Sequence, residues 1–248
     1  MPPSSNVNTF DAHASSYREV LNKANSASGE DYEYFIQLRV NLMKAWLLSN
    51  HVFELPDSWG DILPGSGEDI LDLGCGIGIT ENHLRRAFPA CEIEGVDSSA
   101  ESIWIANANS MPGISFHVAD CDSLPFKDRS FELAYMNGVM HHIIPGLRHS
   151  TLVELKRVMT VGGYGFIFDN NPKNPLMMRA MHYNPIDNDA LPVFPEEMRE
   201  MLRGAGFTVV DTVFYFFFPR WLKFFRCFDR YLKKVPYGAQ YMTVVRKY

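Results

Sequence analysis

The chain has no C-x-x-C pair and no cysteine and histidine cluster at metal-ligand spacing. Cys75, Cys91, Cys121 and Cys227 are scattered, which excludes a disulfide framework and a structural zinc site and points to reduced thiols in a cytoplasmic setting. An excess of positive charge is also missing. Lys and Arg number 23 against 29 Asp and Glu, a net charge of -6, so nucleic acid is not expected as a partner. No apolar run reaches the length of a membrane span, and the opening MPPSSNVNTFDAHASSY has no basic start followed by an apolar core, so no secretory leader is expected. Internal repeats and low-complexity runs are absent as well. What remains, 248 residues at 46% hydrophobic and 21% charged, suits one large α/β domain with decorations and is too short for two full ones.

The most informative stretch is EDILDLGCGIGIT, Glu68 to Thr80. Ile70, Leu71 and Leu73 read as a short buried strand, and Gly74, Gly76 and Gly78 keep side chains away from an approaching ligand. Thr80 can begin a helix whose free amide groups face the same crevice. A dinucleotide fingerprint, G-x-G-x-x-G, would need a glycine where Ile79 stands, but here the third glycine is Gly78. Asp72, two residues before the first glycine, suits a ligand that carries an amine better than one that carries phosphates.

These residues resemble the class I S-adenosylmethionine-dependent methyltransferases whose strand-turn-helix reads LDLGCGxG. The resemblance continues in order to about Asp169, through CEIEGVDSSAESI, ISFHVADCDSLPF, FELAYMNGVMHHI and LVELKRVMTVGGYGFIFD. It implies a Rossmann-like seven-stranded methyltransferase sheet, mostly parallel with an antiparallel last strand and helices on both faces. It implies S-adenosyl-L-methionine as cofactor, with Asp97 accepting from the ribose hydroxyls and Asp120 holding the adenine amino group. Tyr17, Asp72, Gly74, Cys75, Gly76, Ser98, Cys121 and Asn137 complete the expected cofactor set. Asp97 alone does not separate this reading from a nicotinamide-dependent enzyme, which places an acid at a similar distance.

Around this core, residues 1–60 read as an N-terminal helical cap and linker, and 61–248 as the cofactor-binding domain. Helices are expected near Ser15 to Asn25 and over Asp31 to His51, where Tyr34, Leu38, Leu42, Ala45 and Trp46 recur at helical spacing. The family's pre-domain helices often fold over cofactor and acceptor, a place for Tyr17 or Arg39. Pro56 to Gly67 has the composition of a linker. Thr151 with Glu154 is a capping-box pattern that would open a helix presenting Leu152, Leu155 and Met159 inward. Pro195 to Gly204 reads as another helix, Phe207 to Phe218 as strand six and Gln240 to Arg246 as strand seven.

Ligands in open α/β sheets bind beyond the carboxyl ends of the strands, so the acceptor should lie near the residues that follow strands four and five. His142, His141 and His182 are the expected proton-handling residues, histidine being suited to taking a hydroxyl proton near neutral pH. Asp169, Asn170, Asn171 and Tyr183 lie in the same stretch. No metal is expected. Residues of about 170–195 interrupt the α/β alternation with prolines and asparagines and read as an acceptor lid. Residues of about 219–235 form a basic, aromatic segment in which Trp221, Leu222, Phe225, Phe228, Tyr231 and Leu232 would share a helix face. That face would pack on its own domain or on a second subunit of a homodimer, with a peripheral membrane contact as the other reading. The expectation is methyl transfer by direct in-line displacement to oxygen or nitrogen of a small-molecule, glycan or lipid-precursor acceptor. An NAD-dependent oxidoreductase and a noncatalytic S-adenosylmethionine-binding regulatory subunit are the alternatives.

Overall fold

The computed structural model describes residues 16–24, 28–50, 52 and 69–248. The expected linker from Pro56 to Gly67 and the residues before Ser16 lie outside them. Two helices precede the sheet: α1, Tyr17–Ala24, and α2, Tyr32–Ser49. Then follow β1, Ile70–Leu73, α3, Ile79–Ala87, β2, Ile93–Asp97, α4, Ala100–Ala108, β3, Ile114–Val118, and β4, Phe131–Asn137. The second half contains α5, Pro145–Val158, β5, Met159–Asn170, α6, Pro175–Tyr183, α7, Pro195–Gly204, β6, Thr208–Tyr215, and β7, Gln240–Arg246.

The strands form one seven-stranded sheet in the order β3-β2-β1-β4-β5-β7-β6. Strands β1 to β5 pair in parallel, and β7 runs antiparallel between β5 and β6, as the sequence led us to expect. The order reverses at β1, so the carboxyl ends of β1 and β4 diverge there and open a crevice.

Alternation along β1 sorts the two faces. Ile70 points toward α2 and α3, in a core with Leu84, Leu133, Tyr135, Phe166 and Met242. Leu71 and Leu73 point to the other face, against Leu152 and Leu155 of α5 and Met198 and Leu202 of α7. Asp72 therefore falls on the α2 and α3 face, where it is almost fully buried. The N-terminal helices are part of this packing, since Phe35, Ile36, Val40, Met43 and Leu47 of α2 belong to the same core as the sheet.

Three local expectations need correction. The buried side of α2 runs through Phe35, Ile36, Arg39, Val40, Met43, Trp46 and Leu47, while Ala45 is exposed and Tyr34, Leu38 and Leu42 are half-buried. Glu33, Gln37, Asn41 and Lys44 mark the outer side, but the charged Arg39 lies on the buried one, which blurs the pattern. Thr151 and Glu154 do not open a helix. Helix α5 starts at Pro145, and Glu154 instead binds Arg157 and accepts from the Leu124 amide. Strand β6 stops at Tyr215, before Phe216 turns to a φ of 59°.

Candidate functional site

The glycine turn after β1 brings the backbone into the crevice. Gly74 has a φ of 83°, and a Cβ there would stand 2.3 Å from Val139 Cγ2. Gly76 has a φ of 55°, and a Cβ there would meet no atom within 4 Å, so that side of the turn opens onto the crevice. The Gly76 and Ser99 amides each donate to Asp97, at 2.9 Å, which fixes the carboxylate at the end of β2. The Cys75 side chain turns away to pack with Ile103, Ala106 and Phe116, leaving only its backbone toward a ligand. Beyond β3, Asp120 is exposed, and Cys121 is close enough to Asp97 to feel its charge. Burial, with Asp97, Asp120 and Asp122, pushes the Cys121 thiol up to about 12, so it stays protonated. Ser98 and Asn137 are half-buried at the ends of β2 and β4.

Beneath this turn lies an acid pair that sequence reasoning found only in half. Glu81, in the first turn of α3, is fully buried beside Asp72, close enough for the two carboxyl groups to share a hydrogen bond. Burial pushes Asp72 up to about 8, with Asp97 acting the same way, and Glu81 is raised well above the usual carboxylate range by burial and by Asp72. The pair therefore holds a proton at neutral pH. Arg39 of α2 projects over the same face of the sheet. Its Nη2 donates to Gln240 at 3.1 Å, and Tyr215, Tyr135 and Tyr32 surround the guanidinium, Tyr215 within hydrogen-bond reach. Arg39 makes no ion pair among the described residues, and a buried cation without a counter-charge is expensive, so the crevice suits a ligand that brings a carboxylate and an ammonium together.

The second half of the site is built from three segments. His141 and His142 follow β4, Asp169 ends β5, and Asp187 comes from the insert after β5. His141 Nδ1 donates to Asp169 Oδ1 at 2.5 Å, and His141 Nε2 and His142 Nε2 lie 3.7 and 3.5 Å from Asp187 Oδ1. Asn184 Nδ2 donates to the other Asp187 oxygen at 2.9 Å, and the Leu191 amide donates to the His141 carbonyl, stitching the insert to the histidine turn. Burial opposes charge on His141, but Asp169 and Asp187 outweigh it and lift its pKa to about 10. His142 is pushed down to about 3 by burial and then by the His141 charge. These donors lie within 4.8 Å of one another. That spacing could hold a metal ion; with His141 held as a cation by Asp169 and Asp187, the same atoms form ion pairs around a neutral imidazole.

Tyr17 of α1 joins the two halves. Its ring meets Tyr32 edge-on at 6.0 Å, and its hydroxyl is raised by burial, then by Tyr32, Asp97 and Asp187. His182 is not brought to the cluster. It is exposed at the end of α6, against the ring of Tyr183. Asp187, Glu81, Tyr32 and Gln240 were missed, because nothing in their local sequence sets them apart from ordinary cap or core residues.

Residues 70–163 match the methyltransferase domain family. An O-methyltransferase of Penicillium expansum is 30% identical over 158 residues, 60% of this chain and 55% of its own. A fatty-acid O-methyltransferase of Mycolicibacterium smegmatis is 27% identical over 143 residues, 57% of this chain and 52% of its own. The chain thus spans about half the length of the curated relatives it matches. A TehB-like S-adenosylmethionine-dependent methyltransferase from Corynebacterium glutamicum superimposes with a TM-score of 0.61 at 17% identity, over 96% of this chain and 99% of that one. The buried acid pair, the Arg39 cation and the open face of Gly76 fit the amino acid tail of S-adenosylmethionine, the cofactor this fold and domain imply. By its strand order, its glycine turn and the domain match, residues 70–163 form a methyltransferase domain, and the chain has the fold of the S-adenosylmethionine-dependent methyltransferases.

Proposed function

We propose that this protein transfers the methyl group of S-adenosylmethionine to an oxygen atom of a lipid-like acceptor. The observation that carries this reading is the placement of the neutral His142 beside Asp187, joined through Tyr17 to the acids that would hold the cofactor. The names of the relatives support oxygen as the target, and that of the fatty-acid enzyme supports a lipid-like acceptor.

When bound, the cofactor supplies an electrophilic methyl on a sulfonium, with a neutral leaving group. The chain's own work is to align, to exclude water and to take a proton. Asp72 and Glu81 would give up their shared proton to receive the ammonium, Arg39 would hold the carboxylate, and Asp97 would accept from the ribose hydroxyls. His142 would take the acceptor's hydroxyl proton as attack proceeds, with Asp187 stabilising the resulting imidazolium and the His141–Asp169 pair holding both in place. General-base help of this kind is worth about 10²–10⁴-fold, and alignment contributes the rest. Residues 171–194 would form the lid over the acceptor, with Leu176, Leu191 and Phe194 giving it an apolar, exposed surface.

The test is transfer of label from methyl-labelled S-adenosylmethionine to a panel of hydroxylated lipids, fatty acids and polar small molecules. Labelling of lipids that falls about 10²-fold or more in His142→Ala supports the reading. Labelling of polar acceptors alone would reject the lipid-like acceptor. Cofactor binding without transfer to any of them would favour a noncatalytic subunit.

A further inference from the structure

After β6 the chain leaves the sheet and runs along the surface as a 3₁₀ segment, Arg220–Phe228, followed by the short helix α8, Asp229–Leu232. Its aromatic residues do not share one inward face. The segment kinks at Leu222, and none of its residues is buried. Of its apolar side chains only Leu222, Phe225 and Leu232 turn partly inward, with the Phe225 ring against Phe218. In a 3₁₀ helix residues three apart stand one above another. Beyond the kink Phe224 and Cys227 are so placed, and both are outward, as is Trp221 before it. Trp221 is 73% exposed, Phe224 72% and Tyr231 69%, and Phe228 adds half of its surface.

The same stretch is strongly basic in an acidic protein. Residues 219–235 contain Arg220, Lys223, Arg226, Arg230, Lys233 and Lys234 against the single acid Asp229, whereas the whole chain has a net charge of -6. Arg226 and Lys223 bind Glu30, and Lys234 binds Asp211. Arg220, Arg230 and Lys233 form no ion pair among the described residues. The segment is also held firmly. Arg226 donates to the Phe218 and Ser28 carbonyls as well as to Glu30, and its guanidinium stacks over Phe216 at 4.5 Å. Ser28 and Glu30 sit at the start of α2, next to Tyr32 and the crevice.

We propose that this basic, aromatic surface docks on an anionic lipid bilayer. Indole and phenol rings favour the interfacial zone of a membrane, and flanking Arg and Lys are drawn to anionic headgroups. No helix among the described residues is long and apolar enough to cross a membrane, so the contact is one of surface adhesion. Docking would set the crevice beside the bilayer from which a lipid-like acceptor is drawn. Vesicle binding requires neither cofactor nor acceptor, so it stands or falls separately from methyl transfer.

The experiment is co-sedimentation of the purified full chain with phosphatidylcholine vesicles and with vesicles containing about 30% phosphatidylglycerol, a composition of the charge that makes such binding measurable. Binding at least about tenfold tighter to the anionic vesicles, weakened by high salt, is expected. Trp221→Ala with Phe224→Ala, and separately Arg230→Glu with Lys233→Glu, should each lower it about tenfold while leaving the thermal midpoint and S-adenosylhomocysteine binding unchanged. Three results would overturn the proposal: no vesicle binding by the wild-type chain, equal binding to neutral and anionic vesicles, or a concentration-dependent dimer that the aromatic variant abolishes in place of vesicle binding.

Discussion

His141 Nδ1 donates to Asp169 Oδ1 across 2.5 Å in the interior, tying the turn after β4 to the end of β5. The two strands are neighbours in the sheet, so this pair fixes the histidine turn against the strand that feeds the insert.

Asp169→Asn should destabilise the fold by about 3–5 kcal/mol near neutral pH, the usual cost of leaving one partner of a buried pair alone. Because the folded-state pKa of His141 is raised to about 10, the pair's stabilisation is complete below about pH 6.5 and is lost as pH rises through 10. Chemical denaturation of wild type and variant at pH 6 and pH 10 measures this. A gap between them that fails to shrink at the higher pH would show that His141 is not held as a cation.

Ligand binding should release a proton. Asp72, raised to about 8 by burial and by nearby Asp97, is protonated in the free protein at pH 7, and an incoming ammonium favours its carboxylate form. Affinity for S-adenosylhomocysteine should therefore rise between pH 6 and pH 8. Calorimetry in two buffers of different ionisation enthalpy counts the protons, and Asp72→Asn should lose affinity by about tenfold or more, a charge-assisted bond being worth about 1.5–3 kcal/mol.

Gly74 and Gly76 should fail in different ways. Gly74→Ala meets Val139 as well as a left-handed backbone, so it should cost more than the about 1–2 kcal/mol of the backbone term alone. Gly76→Ala meets no atom of the fold, so its loss of stability should stay near that backbone term while cofactor affinity falls. Unfolding curves and binding titrations on both variants separate the two effects. Equal affinity in Gly76→Ala and wild type would remove the cofactor from that face of the turn.

His142 and His182 offer a matched comparison. His142→Ala should reduce kcat, whereas His182→Ala should leave it unchanged, since His182 is exposed and apart from the cluster. With His142 pushed down to about 3, the rate should show no inflection from this ring between about pH 5 and pH 9. An inflection near pH 6.5 that disappears in His142→Ala would mean that the ring titrates normally and lies nearer to solvent.

Much of the frame was open to reading in one dimension. The glycine spacing and Asp72 are local features, because a strand, a turn without side chains and a helix start must follow each other directly along the chain to form a ligand-binding loop. The alternation of strand and helix patterns was legible in the ordered segments, while the antiparallel course of β7 was implied only by the family resemblance. Lid and surface segment stood out by composition alone, without a conformation. The inner face of α2 did not stand out, since it carries the charged Arg39, whose burial depends on partners from other parts of the chain.

The sequence by itself determined the methyltransferase domain and the glycine turn with Asp72 on the strand before it, since these depend on neighbours in the chain. Tertiary structure alone decided what surrounds them. It brought Glu81 under Asp72, laid Arg39 over the sheet from a helix far upstream, and carried Asp187 from the insert to the two histidines. It also raised His141 and lowered His142, two adjacent residues of one type. Protonation depends on burial and on charges within a few ångströms, and those distances exist only once the chain has folded.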